Sequence, residues 1–237
     1  MFFLSNSMPK SASTLLSYMQ VRAIQYKYGD NGQVALINAT SKGVIDGVNS
    51  YVNNCSSYQV LCDLHDLSQE HGPFVVKTHI GINDHLKRFV LEGKVKCSYI
   101  YRRPHDVVLS GMDNYKKNPV EFPRFSSLSG SVEKVVEYCE EALGWVNSNA
   151  TKVVRYEDFI ANPGKVLDEV MQYFGIYLEQ KELEDILIAS REMQSSSASW
   201  NLRFNKGISD RYLSEMSDEE IIYCDSVFNR YLTYLGY

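Results

Sequence analysis

The sequence lacks any long hydrophobic run. No segment approaches the roughly 20 apolar residues that a membrane span needs. The N-terminus also lacks a basic stretch followed by a long apolar one, so it does not resemble a secretory signal, and its short apolar run 2–4 instead predicts a buried strand. We therefore expect no membrane partner and a cytoplasmic protein.

Cysteine is scarce and irregularly placed. The five cysteines are odd in number and widely spaced, and no two of them form a C-x-x-C pair. This pattern favours reduced thiols over a disulfide framework or a structural zinc site. It agrees with a cytoplasmic location.

Basic residues are slightly fewer than acidic ones. The chain has 24 Lys and Arg against 29 Asp and Glu, a net charge of −5. A negative net charge gives no general attraction to nucleic acid, anionic lipid or a polyanionic glycan. Any anionic ligand must therefore be held by a few well-placed cations. The length of 237 residues suits one domain, and we predict a single domain over residues 1–237.

Short apolar segments alternate with helical patterns along the chain. Strands are predicted at Phe2–Ser5, Phe74–Lys77, Cys97–Tyr101 and Lys152–Arg155, with a weaker one at Val34–Asn38. Helices are predicted at Thr14–Tyr28, Pro104–Lys117, Val132–Val146 and Pro163–Phe174, with loops at 118–131 and 195–211 and a last helix capped by Ser217. This alternation predicts an α/β fold with a central parallel sheet flanked by helices. In such sheets ligands bind beyond the carboxyl ends of the strands.

The first predicted strand leads into Met8-Pro9-Lys10-Ser11-Ala12-Ser13-Thr14 and then into a helical pattern. A helix N-terminus offers unpaired N–H groups and a partial positive charge, and a lysine with several hydroxyls completes a site for a tetrahedral anion. The segment is P-loop-like but lacks the G-x-x-x-x-G-K-[ST] spacing. The alternative is a polar turn in which Ser11 or Ser13 caps the helix. The segment alone leaves both possibilities open.

A second polar cluster follows the strand that ends at Tyr101. Arg102 stands at the carboxyl end of that strand, and Ser110 lies about two turns into the next helix. An arginine can form two hydrogen bonds with a phosphate, and a serine can donate one more. A structural ion pair of Arg102 or Arg103 with Asp106 explains the same residues equally well.

Two further strands also end in residues that could carry chemistry. Lys77-Thr78-His79 offers a histidine that can act as a general base near neutral pH and a lysine that can steady negative charge. Tyr156 offers an aromatic ring that could contact a base or a sugar. The alternatives are a structural histidine and a buried strand cap.

In this order, the segments resemble the sulfotransferase family that uses 3′-phosphoadenosine-5′-phosphosulfate (PAPS). Residues 9–15 match its 5′-phosphosulfate loop, usually P-K-S-G-T-T-W, and Arg102 with Ser110 matches its 3′-phosphate motif. Residues 77–79 match its K-T-H strand end, 156–158 its Y-E-D segment and 205–207 its C-terminal R-K-G loop. The resemblance spans residues 2 to about 211.

The resemblance implies a single P-loop-like sulfotransferase domain that moves a sulfuryl group from PAPS and leaves 3′,5′-adenosine bisphosphate (PAP). The implied catalytic residues are His79, Lys10 and Lys77. The implied nucleotide contacts are Lys10, Ser11, Ala12, Ser13, Thr14, Leu15, Arg102, Ser110, Tyr156, Arg203, Asn205, Lys206 and Gly207. No metal is expected, because lysines supply the charge that magnesium brings to a kinase.

The sequence departs from the family pattern at several of these positions. Ala12 replaces a glycine, and we expect the loop to survive because alanine tolerates helical backbone angles. Leu15 replaces a tryptophan that stacks near the adenine, and Asn205 replaces an arginine that contacts the 3′-phosphate. Arg203 could substitute for that arginine. The dimerisation segment of some animal relatives is not recognisable, so we expect a monomer or a weak homodimer.

The acceptor is expected to be a small neutral or cationic molecule with a hydroxyl or amine, from which His79 removes a proton. The region 18–67 and the loop 118–131 are expected to shape its pocket. Phe122 and Phe125 could form apolar walls of that pocket or could equally be core residues. Two alternative functions remain: a P-loop-like nucleotide kinase, and a non-catalytic nucleotide-binding relative.

Overall fold

A computed structural model describes residues 1–195 and 207–237 of the chain. The strands are β1 (Phe2–Ser7), β2 (Gly47–Val48), β3 (Tyr51–Val52), β4 (Val75–Thr78), β5 (Val95–Tyr101) and β6 (Thr151–Arg155). Within the described residues they form one six-stranded sheet in the order β2-β3-β4-β1-β5-β6. All neighbours pair in parallel except β2 and β3, which form an antiparallel hairpin at one edge. The predicted α/β fold with a parallel central sheet is confirmed.

Helices cover both faces of this sheet. They are α1 (Ser13–Tyr28), α2 (Asn31–Ser41), α3 (Tyr58–His71), α4 (Asp84–Leu91), α5 (Pro104–Lys117), α6 (Leu128–Val146), α7 (Tyr156–Ala161), α8 (Pro163–Phe174), α9 (Gln180–Ser195), α10 (Tyr212–Glu215) and α11 (Asp218–Leu235). No helix in the described part of the chain has both the length and the apolar character needed to cross a bilayer.

The central strand β1 shows why the sheet needs both helical layers. Phe2 and Leu4 are buried in the apolar cluster on the side of α3, α5, α6 and α11, whereas Phe3 is buried on the side of α1, α8 and α9. Successive side chains of a strand point to opposite faces, so a strand that is apolar at every position must be covered twice. On the first side Tyr99 stacks on Trp145 with ring centres 5.5 Å apart.

Two helix boundaries follow directly from the sequence. The amide of Lys165 donates to the Asn162 side chain at the start of α8, and Gly175 ends that helix with φ of 82°. Ser217 forms a capping box with Glu220 at the start of α11. These caps satisfy N–H and C=O groups that helix ends leave unpaired.

Two local predictions are wrong. Val34–Asn38, predicted as a weak strand, lies inside the helix α2, whose buried residues include Gln33, Leu36 and Thr40. That spacing of three to four is helical, and a short apolar run alone cannot distinguish the two structures. The loop predicted at 118–131 instead contains a 3₁₀ turn at Pro123–Phe125 and the first residues of α6.

Candidate active site

The three central strands bring the predicted catalytic segments to one edge of the sheet. β4, β1 and β5 are neighbours, and residues near their carboxyl ends are in register, with Asn6 opposite both Thr78 and Tyr99. The Lys10 loop, His79 and Arg102 therefore leave adjacent strand ends in the same direction. This convergence is what the parallel pairing was expected to produce.

The loop between β1 and α1 is held by its backbone and by a buried serine. The amide of Met8 donates to the Ile100 carbonyl at 2.9 Å, and the Ser11 hydroxyl donates to the Met8 carbonyl at 2.5 Å. Ala12 is the residue before α1 and has no side-chain group that could cap the helix. Ser11 and Ser13 thus do not form the predicted alternative cap. The N–H groups of the first turn of α1, which includes Ser13 and Thr14, are left available for an anion.

Ala12 does not have the right-handed helical backbone on which its tolerance was predicted. Its φ is 60° and its ψ is 26°, which is the left-handed region, and Lys10 has φ of 71°. A Cβ in this region approaches the following carbonyl oxygen, at a cost of about 1–2 kcal/mol. Glycine has no such cost, which explains the family's preference for it at this position.

We expect Ala12→Gly to stabilise the protein by about 1 kcal/mol and to raise its Tm by ~2–4 °C. The measurement is thermal and urea unfolding of both proteins. Ala35→Gly, inside the right-handed helix α2, is the matched control and should lose about 1 kcal/mol. A loss of stability in Ala12→Gly would contradict the left-handed conformation at Ala12.

His79 is fixed by the end of β1. Its Nδ1 lies 2.9 Å from the Ser7 carbonyl oxygen and 2.9 Å from the Ser7 hydroxyl. A carbonyl can only accept, so we assign the proton to Nδ1, which leaves Nε2 as the acceptor of the ring. Burial, followed by the charge on Lys77 and then on Lys10, lowers the pKa of His79 to about 4, against an upward effect of the Ser7 backbone bond. The imidazole is therefore neutral at physiological pH.

Two lysines accompany this histidine. Burial lowers the pKa of Lys77 to about 8. Its Nζ lies 5.3 Å from the ring centre of Tyr51, and the same ring lies 5.8 Å from the imidazole of His79. The Nζ of Lys10 lies 4.2 Å above the ring of Phe122. Phe125, the second predicted wall residue, is buried in the core against Gly111.

Arg102 is almost fully buried, with 3% of its surface exposed. Its Nη2 donates to the Asp106 carboxylate at 3.1 Å and to the Ile208 carbonyl at 2.6 Å. The guanidinium carbon lies 4.1 Å above the ring of Tyr156, which is itself buried. The Nε of Arg102 has no hydrogen-bond partner among the described residues. The predicted ion pair is therefore present, and one buried donor remains beside it.

The other predicted nucleotide contacts lie around this arginine, in the core or outside the described residues. Ser110 is buried on α5, one turn after Asp106. Leu15 is buried in the apolar cluster that α1 shares with α8. Gly207 is described and has φ of 65°. The remaining predicted contacts lie outside the described residues: Arg203, Asn205 and Lys206.

Asp106 joins α5 to the segment that follows Gly207. Its carboxylate accepts from the amide of Asp210 at 2.9 Å and from the amide of Tyr212 at 3.2 Å, in addition to Arg102. The sequence offered Asp106 only as the structural alternative for the arginine. The structure gives it a wider role, because it orients Arg102 and holds the C-terminal segment beside it.

The sequence did not single out Ser7, and it placed Tyr51 only within the broad region 18–67 expected to shape the acceptor pocket. Ser7 is an ordinary strand residue whose backbone carbonyl matters, and a carbonyl leaves no signal in the sequence. Tyr51 lies in the two-residue strand β3, which is too short to produce a period of two. Its pairing opposite Lys77 becomes visible only in the sheet register.

A family model for the sulfotransferase domain matches residues 6–235. The chain belongs to this family. The match includes every segment described above from the end of β1 to the end of α11. No curated protein shows significant sequence similarity to this sulfotransferase.

Solved structures share the fold of this sulfotransferase at low sequence identity. Mouse sulfotransferase SULT7A1 complexed with PAP is 18% identical with a TM-score of 0.67, and the alignment covers 98% of this chain and 84% of the mouse chain. Retinol dehydratase in complex with androsterone and PAP is 13% identical with a TM-score of 0.63, covering 98% and 80%. The TM-scores show a common fold, and at identities this low the similarity extends to the fold alone.

Proposed function

We propose that this sulfotransferase uses PAPS to sulfate a hydroxyl or amine of a small molecule, with His79 as the general base. The observation that carries the proposal is the Nδ1 bond of His79 to the Ser7 carbonyl. It leaves Nε2 as a neutral acceptor beside two lysines and the start of α1. A base, a cationic environment and an anion-binding helix end are what sulfuryl transfer requires.

Two groups of residues in the site fit the donor nucleotide, one for each of its phosphate-bearing ends. The uncapped N-terminus of α1, with Lys10 preceding it, would hold the 5′-phosphosulfate. The buried Nε of Arg102, which has no hydrogen-bond partner in the described part of the chain, would donate to the 3′-phosphate, and Ser110 on α5 would be a second donor. The relatives described above bind PAP, and retinol dehydratase has been solved with retinol and with androsterone.

When bound, PAPS supplies a sulfuryl group that bonds to the acceptor oxygen or nitrogen as its bond to the 5′-phosphate oxygen breaks, leaving PAP. Nε2 of His79 takes the proton of the acceptor. Lys10 and Lys77 stabilise the negative charge that develops on the transferred and leaving oxygens, as cations do in phosphoryl transfer. Ser11 contributes through its backbone amide, because its one hydroxyl proton is already shared between the Met8 and Ile100 carbonyls.

The two shifted pKa values predict a pH profile. The base form of His79 persists at every pH above about 4, whereas Lys77 loses its positive charge as the pH rises through about 8. With an alcohol acceptor, we expect kcat/KM to be level between these values and to fall above pH 8. Lys77→Arg should remove the alkaline fall, because a guanidinium stays protonated there. An unchanged fall in that variant would assign the alkaline limb to another group.

The proposed function is tested with PAP and with ATP plus magnesium in parallel thermal shifts. Ligand at ~100 times its Kd stabilises the folded state by about 2.7 kcal/mol, and we expect this from PAP. Lys10→Gln should reduce the shift, and Lys42→Gln, on the exposed end of α2, should retain it. Transfer is then measured as PAP released from PAPS in the presence of acceptors.

The same experiment separates the alternatives. Stabilisation by ATP with magnesium and not by PAP would favour a nucleotide kinase. Stabilisation by PAP without release of PAP from PAPS, across neutral, cationic and anionic acceptors, would favour a non-catalytic relative.

A further inference from the structure

A cavity of about 440 Å³ lies between α1, α2 and the segment 48–51 of the β2–β3 hairpin. Lys77, at the carboxyl end of β4, also lines it. This volume is within the range of ~300–1,000 Å³ that is typical of small-molecule sites. The walls are mainly apolar, with Val21, Ile37 and Val48 beside the rings of Tyr18 and Tyr51.

One end of the cavity lies near the proposed base, through Lys77 and Tyr51. Thr14, in the first turn of α1, and Lys77 line it there, and the Tyr51 ring contacts both Lys77 and His79. A molecule in the cavity can therefore present a hydroxyl or amine to the end where sulfuryl transfer is proposed.

One face of α1 forms the long wall of the cavity. Its lining residues recur every three or four positions from Thr14 to Gln25, as expected for one face of a helix. Arg22 lies on this wall eight residues after Thr14, which places it about 12 Å further along the helix axis. The cavity thus has a reactive end and a distant cationic end.

The charge of the lining is entirely positive. Arg22 and Lys77 are its ionised residues, and among the described residues that line it none is acidic. Among the described residues, the side-chain hydrogen bond of Arg22 is a long one, from Nη1 to the Gln25 side-chain oxygen at 3.4 Å. The nearby carboxylates of Asp185 and Glu182 bond to Tyr26 and Lys27 instead.

Lys77 and Arg22 both repel a cationic ligand in the cavity that they line. A carboxylate offers the two oxygens that match the guanidinium fork. We propose that this cavity binds the acceptor, and that the acceptor has an apolar body and an anionic group bound by Arg22 at the end away from Lys77. The inference rests on the proposed function. It predicts an anionic acceptor where the net charge of the chain had favoured a neutral or cationic one.

The test uses two probes that differ in charge and by one methyl group: 4′-hydroxybiphenyl-4-carboxylate and its methyl ester. Each has one phenol hydroxyl at the end opposite the carboxyl group. We measure kcat/KM for sulfation of both, and the thermal shift that each produces in the PAP-saturated protein. We expect the acid to be preferred by about 10–100-fold, the effect of hydrogen bonds to a charged group.

Variants assign this preference to the arginine. Arg22→Gln should bring the acid-to-ester ratio close to one, and Arg22→Lys should give an intermediate ratio because it keeps the charge and loses the fork. Arg88→Gln is the matched control, since Arg88 is exposed on α4 and pairs with Glu92. It should keep the ratio of the unmodified protein.

Failure of the inference differs from failure of the proposed function. Equal kcat/KM and equal thermal shifts for acid and ester, with PAP still stabilising the protein, would overturn the anionic acceptor alone. Weaker PAP binding in Arg22→Gln with an unchanged ratio would assign the arginine to the nucleotide and also overturn it. No shift with PAP and no transfer from PAPS would overturn the function and the inference together.

Discussion

Replacing His79 with alanine is expected to lower kcat by ~10²–10⁴-fold while the Kd for PAP changes little. The imidazole is held at Nδ1 by the Ser7 carbonyl, so its removal takes away the proton acceptor without disturbing the Lys10 loop. Single-turnover transfer from PAPS, together with a PAP titration, measures both quantities. His85→Ala, an exposed histidine on α4, is the control and should keep full activity.

His79→Asn makes this test sharper. Its amide can still donate to the Ser7 carbonyl, so the local structure is retained, but it cannot accept a proton as a base. Activity as low as that of the alanine variant would assign the effect to proton transfer. Turnover near that of the unmodified protein in either variant would remove His79 from the mechanism.

Replacing Asp106 with alanine is expected to destabilise the protein by about 3–5 kcal/mol, the cost of leaving a buried charge without its partner. Arg102 would lose its carboxylate, and the amides of Asp210 and Tyr212 would lose their acceptor. Because 1 kcal/mol corresponds to ~2–4 °C at this size, the Tm should fall by about 6–20 °C. Urea unfolding measures the loss directly.

Asp106→Asn keeps an acceptor oxygen and should cost less, which allows nucleotide binding to be measured on a folded protein. We expect its Kd for PAP to rise, because Arg102 loses the group that orients it. Asp84→Ala is the control, since that carboxylate is 97% exposed and forms one bond to Lys87. It should stay within about 1 kcal/mol of the unmodified protein. A similarly small effect for Asp106→Ala would contradict its structural role.

The centre of the fold could be predicted from the sequence, and its edge could not. β1, β5, α5 and α8 have apolar runs or capping residues long enough to carry their own signal, and their positions were confirmed within a few residues. The strands β2 and β3 have two residues each, too few for any periodicity. β3 pairs with β4 and β2 pairs with β3, so both strands depend on a tertiary contact.

The site divides in the same way. Lys10, His79 and Arg102 follow predictable strands and could be placed together from the parallel topology alone. The bond from His79 to Ser7 depends on a backbone carbonyl, and the cavity depends on how α1 and α2 pack beside the hairpin. Arg22 carried no signal in the sequence because a single arginine on a helix is usually a solvated residue.

The order of the strands separates two properties that evolution can alter independently. The groups assigned to sulfuryl transfer leave β4, β1 and β5 at the middle of the sheet, whereas the proposed acceptor cavity borders the hairpin at its edge. Amide protons in β1 should exchange slowly with solvent and those of β2 quickly, since edge elements open at a lower free energy. Substitutions in the hairpin or α2 can therefore redirect the protein to new acceptors while the transfer chemistry is inherited unchanged.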